Sequence, residues 1–380
     1  MSCARPDRRD GKDMANPIRL DIHRTAIPMR SFEHAAASRE LAEAIVTRVT
    51  FDDGAVGWGE TLPRDYVTGE TLETVPADLA AALWPAVAGK PVGPEQVRAL
   101  PVRAADERCI TAARCALELA LADALALPAA QAPIRARVSG VLGSADPDRT
   151  ARRLPWMRLY GLRDFKLKLG FGYETDRANL AAVDRRIGRA IARGKCTLRV
   201  DVNGGWDVAS APARVEELAQ YGVCAVEQPV FGPPEALADL AAHCTLPLIA
   251  DESLRTGDDA RALLAAGAKV WWNLRISKNG GLSATADLAR LAADRGVPFV
   301  VGCMVGESGI LSAAQRRLLT GIPVPRFVEG NYGRFLLSDD LTTPSPRFGY
   351  GGRLGSPPKA LRVRPDKLAR YGTLLATLEA

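Results

Sequence analysis

A recurring unit of about 25 residues runs through the second half of the sequence. In each unit, a short β-prone run ends in a polar residue and is followed by an amphipathic segment rich in Ala, Leu and Arg. The polar ends Asp201, Glu227, Asp251 and Arg275 are spaced by 26, 24 and 24 residues, the length of one βα unit. The β-prone runs are Phe165–Leu169, Thr197–Val202, Ala225–Gln228, Leu246–Asp251, Val270–Ile276 and Val297–Cys303.

Six such units in about 200 residues predict an α/β fold, a parallel (β/α) barrel of the TIM-barrel type. An open, doubly wound sheet is the alternative. No G-x-G-x-x-G turn follows the first strand, so the pattern favours the barrel.

The N-terminal part of the sequence predicts a separate α+β domain. Residues 18–56 contain β-prone stretches and the turn Asp52-Asp53-Gly54, which indicate a hairpin, and residues 72–127 change to a helical Ala/Leu periodicity. We therefore predict a disordered tail over residues 1–15, an α+β domain over 16–130, the barrel over 131–325, and a Gly- and Pro-rich segment over 326–380 that returns to the first domain.

Composition restricts the class of protein. Of the 380 residues, 47% are hydrophobic and 25% are charged, a globular composition, and no apolar stretch reaches the roughly 18 to 20 residues of a membrane span. Because the first 15 residues are basic and polar, they do not resemble a secretory signal, and we expect a cytoplasmic protein. The seven cysteines include no C-x-x-C pair, which argues against a disulfide framework and a zinc site.

The net charge of +6 does not by itself indicate nucleic acid. The Arg residues are scattered through Ala-rich segments rather than clustered with aromatic residues, so we expect neither nucleic acid nor a membrane as a partner. An anionic small molecule fits the basic balance, and assembly into a homo-oligomer is left open.

Three carboxylates are predicted to meet at one end of the barrel. Alternate side chains of a barrel strand point inward, and this parity turns Asp201, Asn203, Glu227 and Asp251 inward at the carboxyl ends of consecutive strands. Each acid alone is better explained as a helix cap or loop residue. Three acids at equivalent strand ends with a near-constant spacing are better explained as a shared site. Because such a ring repels itself, it requires a cation, and oxygen ligands without His or Cys select Mg²⁺, with Mn²⁺ as the alternative ion.

Two lysines are predicted to project into the same barrel mouth. Lys166 and Lys168 alternate with apolar residues in one strand, in a chain that has only nine lysines. A buried lysine near other cations has a lowered pKa and can act as a general base. The alternative is an edge strand with one solvated face.

Further along, Asn273 and Arg275 are predicted to point inward from another strand. The segment Ser277–Gly281 then opens a helix. Gly280 and Gly281 either form a tight turn or direct backbone N–H groups at an anion.

Together these motifs resemble the enolase superfamily, in its muconate-lactonizing subgroup of the mandelate racemase/muconate lactonizing enzyme family. The resemblance rests on KLKLG (166–170), DVNGGW (201–206), EQP (227–229), ADES (250–253) and NLRISKNGG (273–281). GWGE (57–60) and YVTGET (66–71) also resemble the capping domain of that family, so the match extends over most of residues 16–370.

The resemblance implies a modified TIM barrel with an N-terminal α+β capping domain. It also implies that the protein is an enzyme, either an isomerase or a lyase, that removes the proton next to a substrate carboxylate to give an enolate. By resemblance, Asp201, Glu227 and Asp251 bind Mg²⁺, Lys168 is the base and Lys166 its electrostatic neighbour. Specificity is expected from mobile loops of the capping domain around residues 28–33 and 64–69. Substrate contacts are expected from Asn203, Asn273, Lys278, Glu307 and Tyr66.

One residue departs from the family pattern. Arg275 occupies the position of the family's second catalytic lysine, and residues 297–306 contain no His that could replace it. Because arginine stays protonated, it is a poor proton acceptor. Lys278 either substitutes for the missing base or supports its loop; the second is the expectation.

Three functions follow from this pattern. The first is Mg²⁺-dependent proton abstraction with one lysine base, followed by cycloisomerisation or β-elimination. The second is epimerisation of a dipeptide or N-acyl amino acid, which needs a second base. The third is a non-catalytic barrel that binds a small-molecule carboxylate.

Overall fold

The computed structural model describes residues 14–34, 37–127, 132–143, 145–265, 269–358 and 361–380. The tail predicted for residues 1–15 therefore lies outside the described residues, apart from Met14 and Ala15. In these ranges, no helix is both long enough and apolar enough to cross a membrane. The six cysteines within them are all free thiols, and all but Cys224 are buried.

An antiparallel sheet forms the N-terminal domain. Its three consecutive strands are β1 (Pro17–His34), β2 (Ala37–Phe51) and β3 (Val56–Thr61), and the predicted turn at residues 52–54 joins the last two. The segment 28–33, predicted as a loop, instead belongs to β1, with a register irregularity between Pro28 and Phe32. Only the expected loop conformation is wrong, because the β1–β2 pairing resumes beyond the irregularity, at Phe32–Arg39. The contribution of this segment to specificity stays a prediction.

Helices follow the third strand, and the longest of them packs against β2 and β3. They are α1 (Asp65–Thr68), α2 (Thr74–Asp78), a π-helical turn (Leu79–Leu83), α3 (Trp84–Val87), α4 (Pro94–Arg98) and α5 (Thr111–Ala124). The predicted loop at 64–69 thus includes the short helix α1. Helix α5 approaches β3 so closely that a Cβ at Gly57 or Gly59 would lie 2.0 or 1.9 Å from a carbonyl oxygen of the helix, and only glycine fits there.

Eight parallel strands form the second sheet, with each strand next to its neighbour in sequence. They are β4 (Gly140–Leu142), β5 (Asp164–Lys168), β6 (Thr197–Asp201), β7 (Val223–Glu227), β8 (Leu248–Ala250), β9 (Val270–Leu274), β10 (Phe299–Val301) and β11 (Phe327–Val328). A parallel bridge between Val138 and Val328, with Ser139 N–H donating to Val328 O at 2.8 Å, joins the two edges. The predicted barrel with an α+β domain is confirmed.

Each barrel strand except the last is followed by a helix that packs on the outside of the sheet. These are α6 (Pro147–Leu159), α7 (Tyr173–Ala192), α8 (Ala211–Ala219), α9 (Pro234–Ala242), α10 (Gly257–Ala265), α11 (Leu282–Asp294) and α12 (Gly309–Gly321). Strand β11 lies beyond residue 325, the predicted end of the barrel. The barrel therefore continues into the segment that the sequence assigned to the C-terminal return.

The chain then runs back to the N-terminal domain. After the short pair β12 (Thr342–Thr343) and β13 (Arg362–Val363) come α13 (Pro365–Tyr371) and β14 (Gly372–Glu379). Strand β14 pairs antiparallel with β1 from Arg19–Glu379 to Thr25–Gly372 and becomes the edge of the first sheet.

Candidate active site

The strand register places the predicted carboxylates at one level. Asp201 is paired with Lys168 across β5 and β6 and with Glu227 across β6 and β7, and Asp251 directly follows β8. All three carboxylates are fully buried. Burial of such charges is unfavourable unless cations compensate them, and the structure surrounds them with cationic side chains.

Lys166 lies at the centre of this charge cluster. Its Nζ is 3.0 Å from Asp201 Oδ2, 3.2 Å from Glu227 Oε1 and 2.7 Å from Glu329 Oε2. Burial opposes the charged form, but Glu227, Glu329 and Asp201 together raise the pKa of Lys166 above its ordinary value. The expectation of a lowered pKa is wrong for this lysine because its neighbours are mostly anions.

Lys168 lines a cavity of about 500 Å³ at the carboxyl ends of the barrel strands. Its Nζ donates to Asp201 Oδ2 at 2.6 Å and to Asn203 Oδ1 at 2.7 Å. The Asn203 amide in turn donates to Glu252 Oε1 at 3.1 Å. Burial works against ionisation of Asp201, but Lys168 and Lys166 hold the pKa of this carboxyl well below its ordinary value.

Arg275 reaches the same cavity from the other side of the barrel. It follows β9, which is separated from β5 by three strands and is therefore opposite Lys168 in a ring of eight. Its guanidinium contacts the carboxylate of Asp251, and Nη2 lies 3.7 Å from Glu227 Oε1. An amine and a guanidinium thus lie on opposite sides of the cavity.

Lys278 is held behind the site rather than in the cavity. Its Nζ donates to Asp251 O at 2.6 Å, Asp251 Oδ1 at 2.9 Å and Asn273 O at 2.8 Å, and the residue is fully buried. Burial and the neighbouring Arg275 lower its pKa. The contacts are those of a residue that supports Asp251 and its loop.

The structure brings only some of the expected substrate-binding residues to the cavity. Asn203 and Tyr66 line it, together with Lys166 and Lys168. Asn273 instead donates to Glu227 Oε1 at 2.8 Å, and Glu307 accepts from Met304 N–H at 2.7 Å within the barrel rim. Neither of these two, nor Lys278, is among the residues that line the main cavity.

Sequence reasoning missed an ion pair below the cavity. Arg199 points inward from β6 two residues before Asp201, and its guanidinium contacts Glu329, which follows β11. Burial opposes ionisation of Glu329, but Lys166 and Arg199 lower its pKa to about 2. The run Phe327-Val328-Glu329 repeats the pattern of a β-prone segment that ends in an acid, and this signal could have identified it.

The N-terminal domain holds the loop that carries Arg275. Leu62 N–H donates to Ser277 Oγ at 3.0 Å, and Arg114 contacts the carbonyl of Gly280. Glu118 accepts from Leu282 N–H and Ser283 N–H, both at 2.9 Å, at the start of α11. The anion that faces this helix start is therefore a side chain of the protein itself.

The three buried carboxylates offer only oxygen ligands, which are the ligands that a hard divalent cation such as Mg²⁺ prefers. In the described part of the chain, no three His, Cys, Asp or Glu side chains are grouped so that one ion would contact all of them. Each predicted ligand is instead paired with a lysine or arginine. A bound ion would therefore share these carboxylates with the cationic side chains, and the Arg275–Asp251 contact is the one that the family resemblance does not anticipate.

Comparison with known proteins identifies the class to which this architecture belongs. The profile described as "Enolase C-terminal domain-like" matches residues 149–357, and that of the "Mandelate racemase / muconate lactonizing enzyme, N-terminal domain" matches residues 18–136. The fold is thus that of an enolase-superfamily enzyme. The chain belongs to the mandelate racemase/muconate lactonizing enzyme family, as its motifs predicted, and enzymes of this family generally use Mg²⁺.

Relatives of known function are isomerases of more than one kind. The chain is 28% identical to an N-succinyl-L-Arg/Lys racemase of Bacillus cereus over 78% of this chain and 81% of the relative. It is 32% identical to a hydrophobic dipeptide epimerase of Roseobacter litoralis over 69% and 76%, respectively. It is 29% identical to muconate cycloisomerase 1 of Pseudomonas putida over 80% and 83%.

A solved structure supports the fold. The muconate lactonizing enzyme of Pseudomonas fluorescens, complexed with muconolactone, superposes with a TM-score of 0.82 at 22% identity, over 95% of this chain and all of that one.

Proposed function

We propose that this protein is an isomerase or lyase that removes the proton α to a substrate carboxylate with Lys168 as its single base. Lys168 reaches the cavity floor, and its Nζ contacts Asp201 and Asn203. These contacts orient the amine, so that it can take a proton from a substrate carbon held above it. An enolate results.

The observation that carries the one-base proposal is the opposition of Lys168 and Arg275 across one cavity. A guanidinium stays protonated at any working pH, so it stabilises negative charge but does not accept a proton. Lys278 is not a substitute because Asp251 and Asn273 occupy its three donor positions away from the cavity. Protons are therefore exchanged on one face of the enolate.

Asp201, Glu227 and Asp251 would hold the Mg²⁺ that is general in the family. Mg²⁺ would supply a concentrated positive charge next to the substrate carboxylate. Lys166, which bridges Asp201, Glu227 and Glu329, adds a positive charge at the cavity wall. Its role is electrostatic, because its three carboxylate neighbours favour the protonated amine.

A one-base site suits cycloisomerisation or β-elimination better than inversion. Similarity to muconate cycloisomerase 1 supports this outcome. The second candidate is epimerisation of a dipeptide or N-acyl amino acid, which the similarity to dipeptide epimerases and an N-succinyl amino acid racemase favours. That function needs a second proton acceptor opposite Lys168.

Proton exchange in D₂O tests the proposal. Carboxylates that include a muconolactone, chiral dipeptides and N-acyl amino acids are incubated with the Mg²⁺-loaded protein and followed by NMR. We expect deuterium to enter the α-carbon with a single stereochemistry and without inversion of the substrate. In Lys168→Ala, we expect the rate of α-proton exchange to fall about 10²-fold or more. Lys195→Ala, which removes an exposed lysine, is the matched control.

Three results would contradict the proposal. Rapid inversion with deuterium in both stereoisomers would establish a second base, and Lys168→Ala with more than a tenth of the wild-type rate would move the base elsewhere. Tight binding of carboxylates without exchange in any of them would favour the non-catalytic barrel.

A further inference from the structure

One side of the cavity is lined by apolar and aromatic side chains that the proposed chemistry does not use. We call Met157, Tyr160, Leu162, Phe335 and Phe348 the aromatic lobe. The ring centroid of Tyr160 lies 5.6 Å from that of Phe335 and 5.9 Å from that of Phe348, and both pairs are edge-to-face. The ring centroids of Phe335 and Phe348 are 5.0 Å apart. Three rings thus form one continuous wall.

The lobe is built outside the strand ends that carry the charged groups. Met157 comes from α6, Tyr160 and Leu162 follow that helix, and Phe335 and Phe348 come from the segment after β11. All five nevertheless line the same cavity as Lys168 and Arg275. A single molecule that contacts both regions fits the cavity volume of about 500 Å³, which is the size of an ordinary small-molecule site.

Tyr332 marks the junction between the two regions. Its ring lies edge-on to Phe348 at 6.0 Å, and it lines the cavity beside Lys166 and Glu329. Its hydroxyl is buried and has no hydrogen-bond partner among the residues that the structure describes. Buried hydroxyls are normally satisfied, so this group is suited to a polar atom of a bound molecule.

We propose that the aromatic lobe binds a large apolar or aromatic group of the substrate. This inference rests on the proposed function, which places the carboxylate of the substrate at the charged floor. No lobe residue is itself charged, although Arg153 lines the same cavity and the Arg347 guanidinium lies 5.8 Å from the ring centroid of Phe335, and apolar surface gains free energy when it leaves water. The substrates are therefore carboxylates that carry an aromatic or bulky aliphatic group, with Tyr332 donating to a polar atom near the join.

Equilibrium binding tests the lobe independently of any reaction. The probes are 4-phenylbutyrate, butyrate and glutarate, titrated by calorimetry into the Mg²⁺-loaded full-length protein. All three have a carboxylate on a three-carbon chain. The far end of this chain carries a phenyl group in 4-phenylbutyrate, a hydrogen in butyrate and a second carboxylate in glutarate. We expect 4-phenylbutyrate to bind at least about 10-fold more tightly than either of the others.

Two variants locate the preference. Met157→Glu and Phe335→Glu place a carboxylate in the lobe and should remove the advantage of 4-phenylbutyrate while changing butyrate affinity less than about 3-fold. Phe335 is 38% exposed, so its replacement is compatible with folding even if that of Met157 is not. Leu159→Glu is the matched control, because Leu159 is 70% exposed near the end of the same helix as Met157 and does not line the cavity.

The outcomes separate the lobe from the chemistry. Equal affinities for the three probes, or a phenyl preference that persists in both lobe variants, would overturn the aromatic lobe as a substrate site. A phenyl preference that both variants abolish would support it even if no carboxylate exchanges its α-proton, a result that would instead contradict the proposed function.

Discussion

Among single residues, Arg275 has the largest effect on the charge and on the proton-accepting capacity of the site. A lysine at its position would be a compact amine able to give up its proton, whereas the guanidinium is planar, permanently charged and suited to two carboxylates at once. Arg275 uses this geometry on Asp251 and Glu227, which are both predicted ligands. The same side chain therefore removes a base and competes with a cation.

Replacement of this arginine should strengthen ion binding. Arg275→Met removes a positive charge from Asp251, and we expect the Mg²⁺ affinity measured by titration calorimetry to rise about 10-fold, because hard-cation affinity depends on the net negative charge of the ligands. Asp251→Asn, by contrast, should weaken Mg²⁺ binding severely, and Asp207→Asn, at an exposed position after β6, should leave it unchanged. Weaker binding by Arg275→Met would show that the guanidinium does not compete with the ion.

At the scale of elements, helix α5 links the two domains. It is buried along most of its length, and its Ala- and Leu-rich sequence packs against both hydrophobic cores. Its two charged interior residues, Arg114 and Glu118, both bind the segment that opens α11. An N-terminal-domain helix thus caps a barrel helix next to the loop of Arg275.

Loss of this cap should destabilise the protein. Glu118→Ala leaves two N–H groups of α11 without an acceptor in a buried place, and we expect the free energy of unfolding to fall by about 2 kcal/mol. Chemical denaturation measures the change. Glu216→Ala, at an exposed position on α8, is the control and should stay within about 0.5 kcal/mol of wild type. A Glu118→Ala protein as stable as the control would show that water replaces the cap.

The elements also show how far the sequence could predict this structure. Parity in β5, β6 and β7 placed Lys166, Lys168, Asp201 and Glu227 correctly inside the barrel, because side chains alternate strictly in a strand. Glu329 was missed because β11 has only two residues, so its acid-ending pattern is too short to be recognised without the preceding strands as a guide.

The rest of the cavity depends on tertiary contacts. The aromatic lobe was not predicted, because its residues come from a helix end and from turns whose meeting no local pattern encodes. Likewise, the pairing of Arg275 with Asp251 depends on side-chain conformation, not on spacing.

In the molecule as a whole, a buried carboxyl group of the N-terminal domain accepts hydrogen bonds from the barrel. Glu60 in β3 accepts from Ser308 N–H at 3.0 Å, Ser308 Oγ at 2.8 Å and Leu311 N–H at 3.0 Å at the start of α12. Burial raises its pKa from 4.5 to about 7, although the hydrogen bonds from Ser308 and Leu311 favour the charged form. The folded protein therefore retains a proton here that the unfolded chain releases near pH 4.5.

This proton makes stability depend on pH in a defined direction. The contribution of Glu60 is complete below about pH 4.5 and is lost as the pH rises through about 7, a change of about 3 kcal/mol. Glu60→Gln cannot titrate, so the stability of wild type relative to this variant should fall between pH 5 and pH 8, as measured by urea denaturation at each pH. A constant difference across this range would show that the carboxyl ionises at its ordinary pKa.

The pairing of β14 with β1 has a consequence for the order in which the chain is made. Some 350 residues separate the two strands, so a ribosome completes β1, β2 and β3, and then the entire barrel, before the partner of β1 emerges. Until then, the unpaired backbone edge of β1 is open to association with other chains. Before β14 emerges, this edge is therefore the part of the N-terminal sheet most open to intermolecular strand pairing.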